Sequence, residues 1–241
     1  MGHNARLTQT FIGLMALAAT ASSVYATLSS HSFHRSYALA LLVLAAVTSR
    51  MKIKLPGIDC NMSTNLPFLL MAVVNLSALE AIVIACVSTV VQCWPKQGGK
   101  FKPEQMLFNV SMMAFATSMA NLIWNAGWLG KAAWASEPLM LASATAAFFL
   151  GQTAPVAGII KLAEGVAMRR VWLSIVQLSF PYYVLSAGLT SMVNLANHHL
   201  GWWLLIFPVM YGVRQSYRLY FARVGEALRT APLAKVAGAG L

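Results

Sequence analysis

Charged residues are scarce in this sequence, and acidic residues are the scarcest of them. Of 241 residues, 10% are charged and 59% are apolar, whereas soluble domains carry about 25% charged residues. No polar stretch is long enough to bury a soluble core of its own. The composition therefore predicts one all-α, polytopic transmembrane domain over residues 1–223, followed by a short, disordered cytoplasmic tail over 224–241.

Recognisable catalytic motifs are absent as well. The sequence contains no Gly-rich phosphate loop, no His-Glu-x-x-His and no Gly-x-Ser-x-Gly. Its three cysteines, Cys60, Cys86 and Cys93, have neither a paired framework nor metal-ligand spacing, so we interpret them as reduced packing residues. We therefore expect no enzymatic activity, and the sequence indicates no particular cofactor.

Histidine offers one weak candidate for a metal site. His31 and His34 form a His-x-x-His, and the predicted topology places His198 and His199 on the same outer side of the membrane. Imidazole is a common ligand of transition metals. Glu137 is the only carboxylate predicted on that side that could complete a set of ligands, and histidines are common in loops. We therefore predict no metal site.

Apolar runs set the number of predicted helices. Seven long helices are predicted, near Leu7–Leu28, Ser36–Ser49, Ala78–Trp94, Glu104–Trp128, Glu137–Ile160, Val171–Ala196 and Trp202–Phe221. An eighth run, "LPFLLMAVV", Leu66–Val74, has nine residues. As a helix it measures about 14 Å against a hydrocarbon core of about 30 Å. It cannot span alone, so we predict that the flank "DCNMSTN" completes this discontinuous crossing in extended or irregular form.

Basic residues set the predicted orientation. The 17 Lys and Arg against 6 Asp and Glu give a net charge of +11, but they lie in short connectors rather than in a nucleic-acid-binding patch. If all eight segments cross, only Arg35 and Lys131 lie outside, and 17 minus 2 leaves 15 inside. We predict a bacterial inner-membrane protein with both termini cytoplasmic and no nucleic-acid partner. Residues 1–26 also read as a cleavable signal peptide; a retained first helix is our interpretation.

Polar residues around the short segment form the predicted ligand site. Irregular backbone at membrane depth survives where protein or a wet cavity satisfies it, and short Pro-interrupted segments point to binding sites. The candidates are Asn61, Ser63, Asn65, Asn75, Glu80, Ser88, Gln92 and Asn121. Two alternatives stay open: a plain loop followed by a tilted helix, and polar stripes that only pack neighbouring helices.

Glu80 has its own alternative. Ser77 followed three residues later by Glu80, just before an apolar run, is the pattern of a capping box at a helix start. The second interpretation is a ligand-binding or proton-carrying carboxylate at the outer mouth. Both roles are compatible.

Four stretches carry a family resemblance: "SRMKIKLPGIDCNMSTNLPFLL", "LSALEAIVIACVSTVVQCW", "EQMLFNVSMMAFA" and "PVMYGVRQSYRLYFAR". In order, they resemble the N-terminal multi-helix membrane region of many bacterial HD-GYP cyclic-di-GMP phosphodiesterases and related signalling proteins. That resemblance implies a sensor-like region whose last helix leads into a cytoplasmic catalytic domain. No His-Asp phosphodiesterase sequence follows here, so the resemblance implies a sensing domain without its own output, in a stand-alone protein or an excised domain.

The predicted function is therefore membrane-embedded sensing or binding of a small molecule. Its expected partners are the lipid bilayer, the ligand and, if it signals, a separate cytoplasmic protein reached through Arg214, Arg218 and Arg223, which also suit anionic lipid headgroups. The alternative is a transporter or a substrate-capturing subunit. It rests on a weaker likeness of Leu55–Trp94 to the membrane subunits of energy-coupling-factor transporters, which work with an ATPase.

Overall fold

The structure, a computed structural model, describes residues 2–28, 35–54, 61–95, 101–126 and 136–195, with a few positions between 208 and 219. Most of the predicted last helix lies outside the described residues. So do several residues with predicted roles: His31, His34, Cys60, His198, His199, Arg214, Arg218 and Arg223.

Seven helices and two short strands make up the described part between residues 2 and 195. In chain order they are α1 (Gly2–Leu28), α2 (Arg35–Ser49), β1 (Lys52–Lys54), β2 (Asn61–Ser63), α3 (Leu66–Asn75), α4 (Ala78–Cys93), α5 (Pro103–Trp124), α6 (Glu137–Glu164) and α7 (Met168–Leu195). The all-helical class predicted from the sequence is thus confirmed in its main feature. Four helices, α1, α5, α6 and α7, are long and apolar enough to cross a membrane, and α2, α3 and α4 are shorter apolar helices.

The two strands are the part of the fold that the sequence did not predict. They pair antiparallel, with Lys52 opposite Ser63, and form a hairpin between α2 and α3. Part of the flank expected to be extended or irregular is therefore a paired strand. Pairing satisfies backbone N–H and C=O groups that an irregular segment leaves to other partners.

Helices α1 and α5 run in the same direction. Near their starts, Gln9 donates a hydrogen bond to Glu104 over 3.4 Å. Fourteen residues further along both helices, the hydroxyls of Ser23 and Ser118 lie 3.2 Å apart. Two contacts at equal spacing on both helices fix this parallel arrangement.

The other long helices alternate in direction. The Asn109 amide lies 3.3 Å from the Cys93 sulfur, so α4 ends where α5 begins. Gly158, late in α6, lies against the ring of Phe11, early in α1. Helix α7 then follows α6 after a three-residue connector. Consequently α4 and α6 end, and α1, α5 and α7 begin, at the same end of the bundle.

Basic side chains collect at that end. The guanidinium of Arg50, just after α2, donates to the backbone oxygen of Trp94, just after α4, over 3.2 Å, so α2 also ends there. We call this the basic end; its described cationic side chains are Arg6, Arg50, Lys52, Lys102, Lys161, Arg169 and Arg170. Glu104 and Glu164 also lie at this end, whereas the acidic Glu80 and Glu137 lie at the starts of α4 and α6, at the opposite end.

Helix α3 is enclosed by the bundle. Every side chain from Leu66 to Val73 is buried, and the helix packs against α2, α4, α5 and α7. By contrast, α1 exposes large apolar side chains such as Leu14 and Leu17, the kind of surface that marks a membrane-facing helix. A helix that is apolar all round and surrounded by others has no face left for water.

Candidate functional site

A first group of predicted residues meets at the start of α3. The side-chain amide of Asn65 donates to the Ser88 hydroxyl on α4 over 3.3 Å, and its oxygen accepts a hydrogen bond from the Ser63 hydroxyl. Asn65 is 3% exposed and Ser88 is fully buried. We call Ser63, Asn65 and Ser88 the hairpin-end cluster, because Ser63 closes strand β2.

The hairpin-end cluster is tied to the end of α2 through Thr64. The Thr64 hydroxyl lies 3.2 Å from the Thr48 carbonyl oxygen and 3.4 Å from the Met51 carbonyl oxygen. Ser88 in turn donates to the Ala85 carbonyl oxygen over 3.0 Å. Three segments that are apart in sequence thus meet around neutral hydrogen-bonding groups inside an apolar bundle.

A second group meets where α3 gives way to α4. Glu80 completes the predicted capping box: its carboxylate accepts from the Ser77 backbone N–H over 3.1 Å, while the Glu80 N–H donates to the Ser77 hydroxyl over 3.3 Å. Asn75 donates to the Met71 carbonyl oxygen over 3.2 Å. Asn121, from α5, donates to the Val73 carbonyl oxygen over 3.3 Å.

The structure therefore divides the eight predicted residues rather than gathering them. The two groups lie at opposite ends of α3, a rise of about 15 Å. Gln92 lies one turn beyond Ser88 on α4 and is half-buried. Asn61 lies in β2, with its side chain outside the described residues. Among the side chains that the structure describes, only the hairpin-end cluster joins three predicted residues directly.

The sequence did not predict one partly buried chain of polar contacts across three helices. Tyr183 of α7 donates to the side-chain oxygen of Gln152 on α6, whose amide nitrogen contacts the Met113 sulfur on α5. The Gln152 amide inside the apolar run "FFLGQTAPV" was the available signal. Its partners could not be read from it, because they lie on two other helices.

The described residues hold no group of three or more His, Cys, Asp or Glu side chains suited to a metal ion. The four candidate histidines lie outside the described ranges, so the prediction of no metal site stays a prediction. Within those ranges, the two clusters offer amide and hydroxyl groups together with one carboxylate, and that carboxylate caps a helix.

A cavity of about 950 Å³ lies elsewhere, between α1, α5 and α6. Phe11 and Met15 line it from α1, Phe115 and Met119 from α5, and the small residues of α6 form its floor. None of the eight predicted site residues lines it. Its volume is within the range of sites that take drug-sized ligands.

Comparison with known proteins gives no relative: no family model, curated protein or solved structure matches this chain. The resemblance to the membrane region of HD-GYP signalling proteins therefore remains a prediction.

Proposed function

We propose that this chain is a membrane-embedded binding domain that senses a small, neutral, polar molecule and has no catalytic step of its own. The observation that supports the proposal best is the hairpin-end cluster. It brings an amide and two hydroxyls together in an apolar bundle, at the start of a helix too short to cross a bilayer alone. Broken helices that line such polar positions are where membrane proteins commonly hold their ligands.

The chemistry of the cluster suits a neutral ligand. Its groups carry no charge, and each is a donor or an acceptor that a ligand amide or hydroxyl can replace. Binding would exchange the bond between Asn65 and Ser88 for bonds to the ligand. That exchange would remove the hydrogen bond that joins the start of α3 to α4, at no net loss of hydrogen bonds.

Helix α3 contacts α7, the last helix before the C-terminal part of the chain. The Thr190 hydroxyl of α7 lies 3.3 Å from the Pro67 carbonyl oxygen, and α3 and α7 pack against each other. A ligand-dependent shift of α3 would therefore bias α7 and the segment that carries Arg214, Arg218 and Arg223. A cytoplasmic partner or an anionic lipid surface would receive that change.

For the membrane, we propose that the basic end faces the cytoplasm of a bacterial inner membrane. In that arrangement α1 to α7 and the predicted last helix give eight crossings, with both termini inside. The excess of Lys and Arg at one end of the described bundle supports this orientation.

Mass spectrometry of small molecules that copurify from bacterial membranes tests the binding proposal. A polar molecule retained by the wild-type protein should be lost or reduced in Asn65→Ala and Gln92→Leu. It should persist in the matched control Gln9→Leu, since Gln9 is an exposed amide at the same end. Full retention in both site variants would place the ligand elsewhere.

Reconstitution then separates sensing from transport. Binding without flux of the identified molecule into liposomes supports the sensor. Flux, alone or with an added ATPase partner, supports a transporter or substrate-capturing subunit instead.

A further inference from the structure

The cavity between α1, α5 and α6 arises from the way these three helices pack. Helices α1 and α6 both pack along α5 and contact each other much less than either contacts α5. Gly158 packs against the Phe11 ring of α1, and most of the other residues of α6 that line the gap are small, among them Ala147 and Ala154. They leave open a space that larger side chains would fill, so the cavity is a lengthwise cleft. We call it the α1/α6 cleft.

The α1/α6 cleft is longer than one lipid acyl chain. Ser143 and Lys161 mark its ends along α6, a rise of about 27 Å, close to the hydrocarbon thickness of about 30 Å. Between them its walls are aromatic and aliphatic, including Phe115 and Leu150. An acyl chain that enters from one leaflet fits this length and chemistry.

The two ends of the cleft differ in charge. At the basic end it is bordered by Lys161 and by Met168, and Arg169 and Arg170 follow Met168 directly. Glu164, one turn after Lys161, does not line the cleft. Lys161 is exposed, so its ammonium can remain at the interface while its methylene stem lies along the cleft. At the other end the lining residue is the neutral Ser143. Basic pockets between helices on the cytoplasmic side are typical of sites for anionic headgroups.

From this geometry we infer that the α1/α6 cleft binds an anionic phospholipid, with one acyl chain along the small residues of α6 and its phosphate at Lys161. The inference is independent of the proposed ligand site, because no residue of the hairpin-end cluster lines the cleft.

Native mass spectrometry with added lipid tests this inference. The purified protein would be titrated with phosphatidylglycerol and with phosphatidylcholine of identical chains. We expect one phosphatidylglycerol to bind about fivefold more tightly than phosphatidylcholine, the preference that one interfacial cation provides. Lys161→Gln should remove that preference. The matched control Lys102→Gln, an exposed lysine at the same end that does not line the cleft, should keep it.

Substitutions by a larger side chain test where the acyl chain lies. Ala147→Phe should reduce binding of both lipids, whereas Ala142→Phe, on the exposed side of α6 and outside the cleft, should not. Equal binding of the two lipids, an unchanged preference in Lys161→Gln, or a lipid-free dimer that Ala147→Phe dissociates would each overturn the inference. Asn65→Ala should leave lipid binding unchanged, so failure here and failure of the proposed function are separate results.

Discussion

The side-chain amide of Asn121 donates a hydrogen bond to the carbonyl oxygen of Val73, 3.3 Å away and 48 residues earlier in the chain. A continuing helix would supply the N–H of Ser77 to that oxygen. That N–H instead donates to the Glu80 carboxylate within the capping box. Asn121 thus provides the donor that the break between α3 and α4 removes.

Asn121→Leu should therefore destabilise the protein by about 1–2 kcal/mol, because it leaves a buried carbonyl oxygen without a donor. Thermal unfolding in detergent measures the loss. Gln105→Leu, at an exposed amide on the same helix, should change stability by less than about 0.5 kcal/mol. Equal effects of the two variants would contradict the special role of Asn121.

Glu80 permits a test that separates capping from ligand chemistry. Glu80→Gln keeps a side chain that accepts from the Ser77 N–H, so stability should remain near the wild-type value. Glu80→Ala should lose about 0.5–1 kcal/mol in the same unfolding assay. A Glu80→Gln variant that is stable but no longer retains the copurified molecule would show that the carboxylate also binds ligand.

Two buried threonines should respond in opposite ways to the same substitution. The Thr117 hydroxyl is buried without a hydrogen-bond partner among the described residues, whereas the Thr64 hydroxyl reaches carbonyl oxygens of Thr48 and Met51. Thr117→Val should be neutral or stabilising, since it removes an unsatisfied group of the same shape. Thr64→Val should cost about 0.5–1 kcal/mol. A larger loss for Thr117→Val would rule out this account.

Two helical glycines form another matched pair. A Cβ on Gly151 would lie 3.0 Å from the Cα of Ala116, whereas a Cβ on Gly188 would meet nothing within 4 Å. Gly151→Ala should separate α5 from α6 and destabilise the protein by about 1–3 kcal/mol. Gly188→Ala should be neutral or stabilising by up to about 1 kcal/mol, through helix propensity. Circular dichroism during heating distinguishes the two results.

Orientation is testable with an impermeant thiol reagent. In a background with Cys60, Cys86 and Cys93 replaced by serine, Glu137→Cys should be labelled in spheroplasts and Arg169→Cys only after lysis. The reverse pattern would place the basic end outside and invalidate the proposed topology. Labelling of both sites before lysis would show that the described bundle does not cross the membrane as proposed.

Local signals in the sequence predicted much of the region around α3. The short segment Leu66–Val74 was predicted within one residue of α3, because polar residues and the break at Ser77 bound it closely. The capping box of Ser77 and Glu80 is likewise confirmed, since its two residues recognise each other within one turn. Glu80 as a ligand-binding group stays a prediction.

Features that depend on distant pairing could not be predicted in the same way. Which backbone oxygen Asn121 would reach, and that Asn65 would meet Ser88, follow from how the helices pack rather than from any spacing. The β1–β2 hairpin has three residues in each strand, too few for an alternating pattern to emerge. The α1/α6 cleft depends on α1 packing beside α5, which nothing local specifies.

The parallel pairing of α1 with α5 has a consequence for biosynthesis. The hydroxyls of Ser23 and Ser118 that meet in the finished protein are 95 residues apart. Because translation proceeds at about 5–20 residues per second, the ribosome makes α1 many seconds before its main partner exists. During that interval the face of α1 that packs against α5 in the finished protein has no partner from α5.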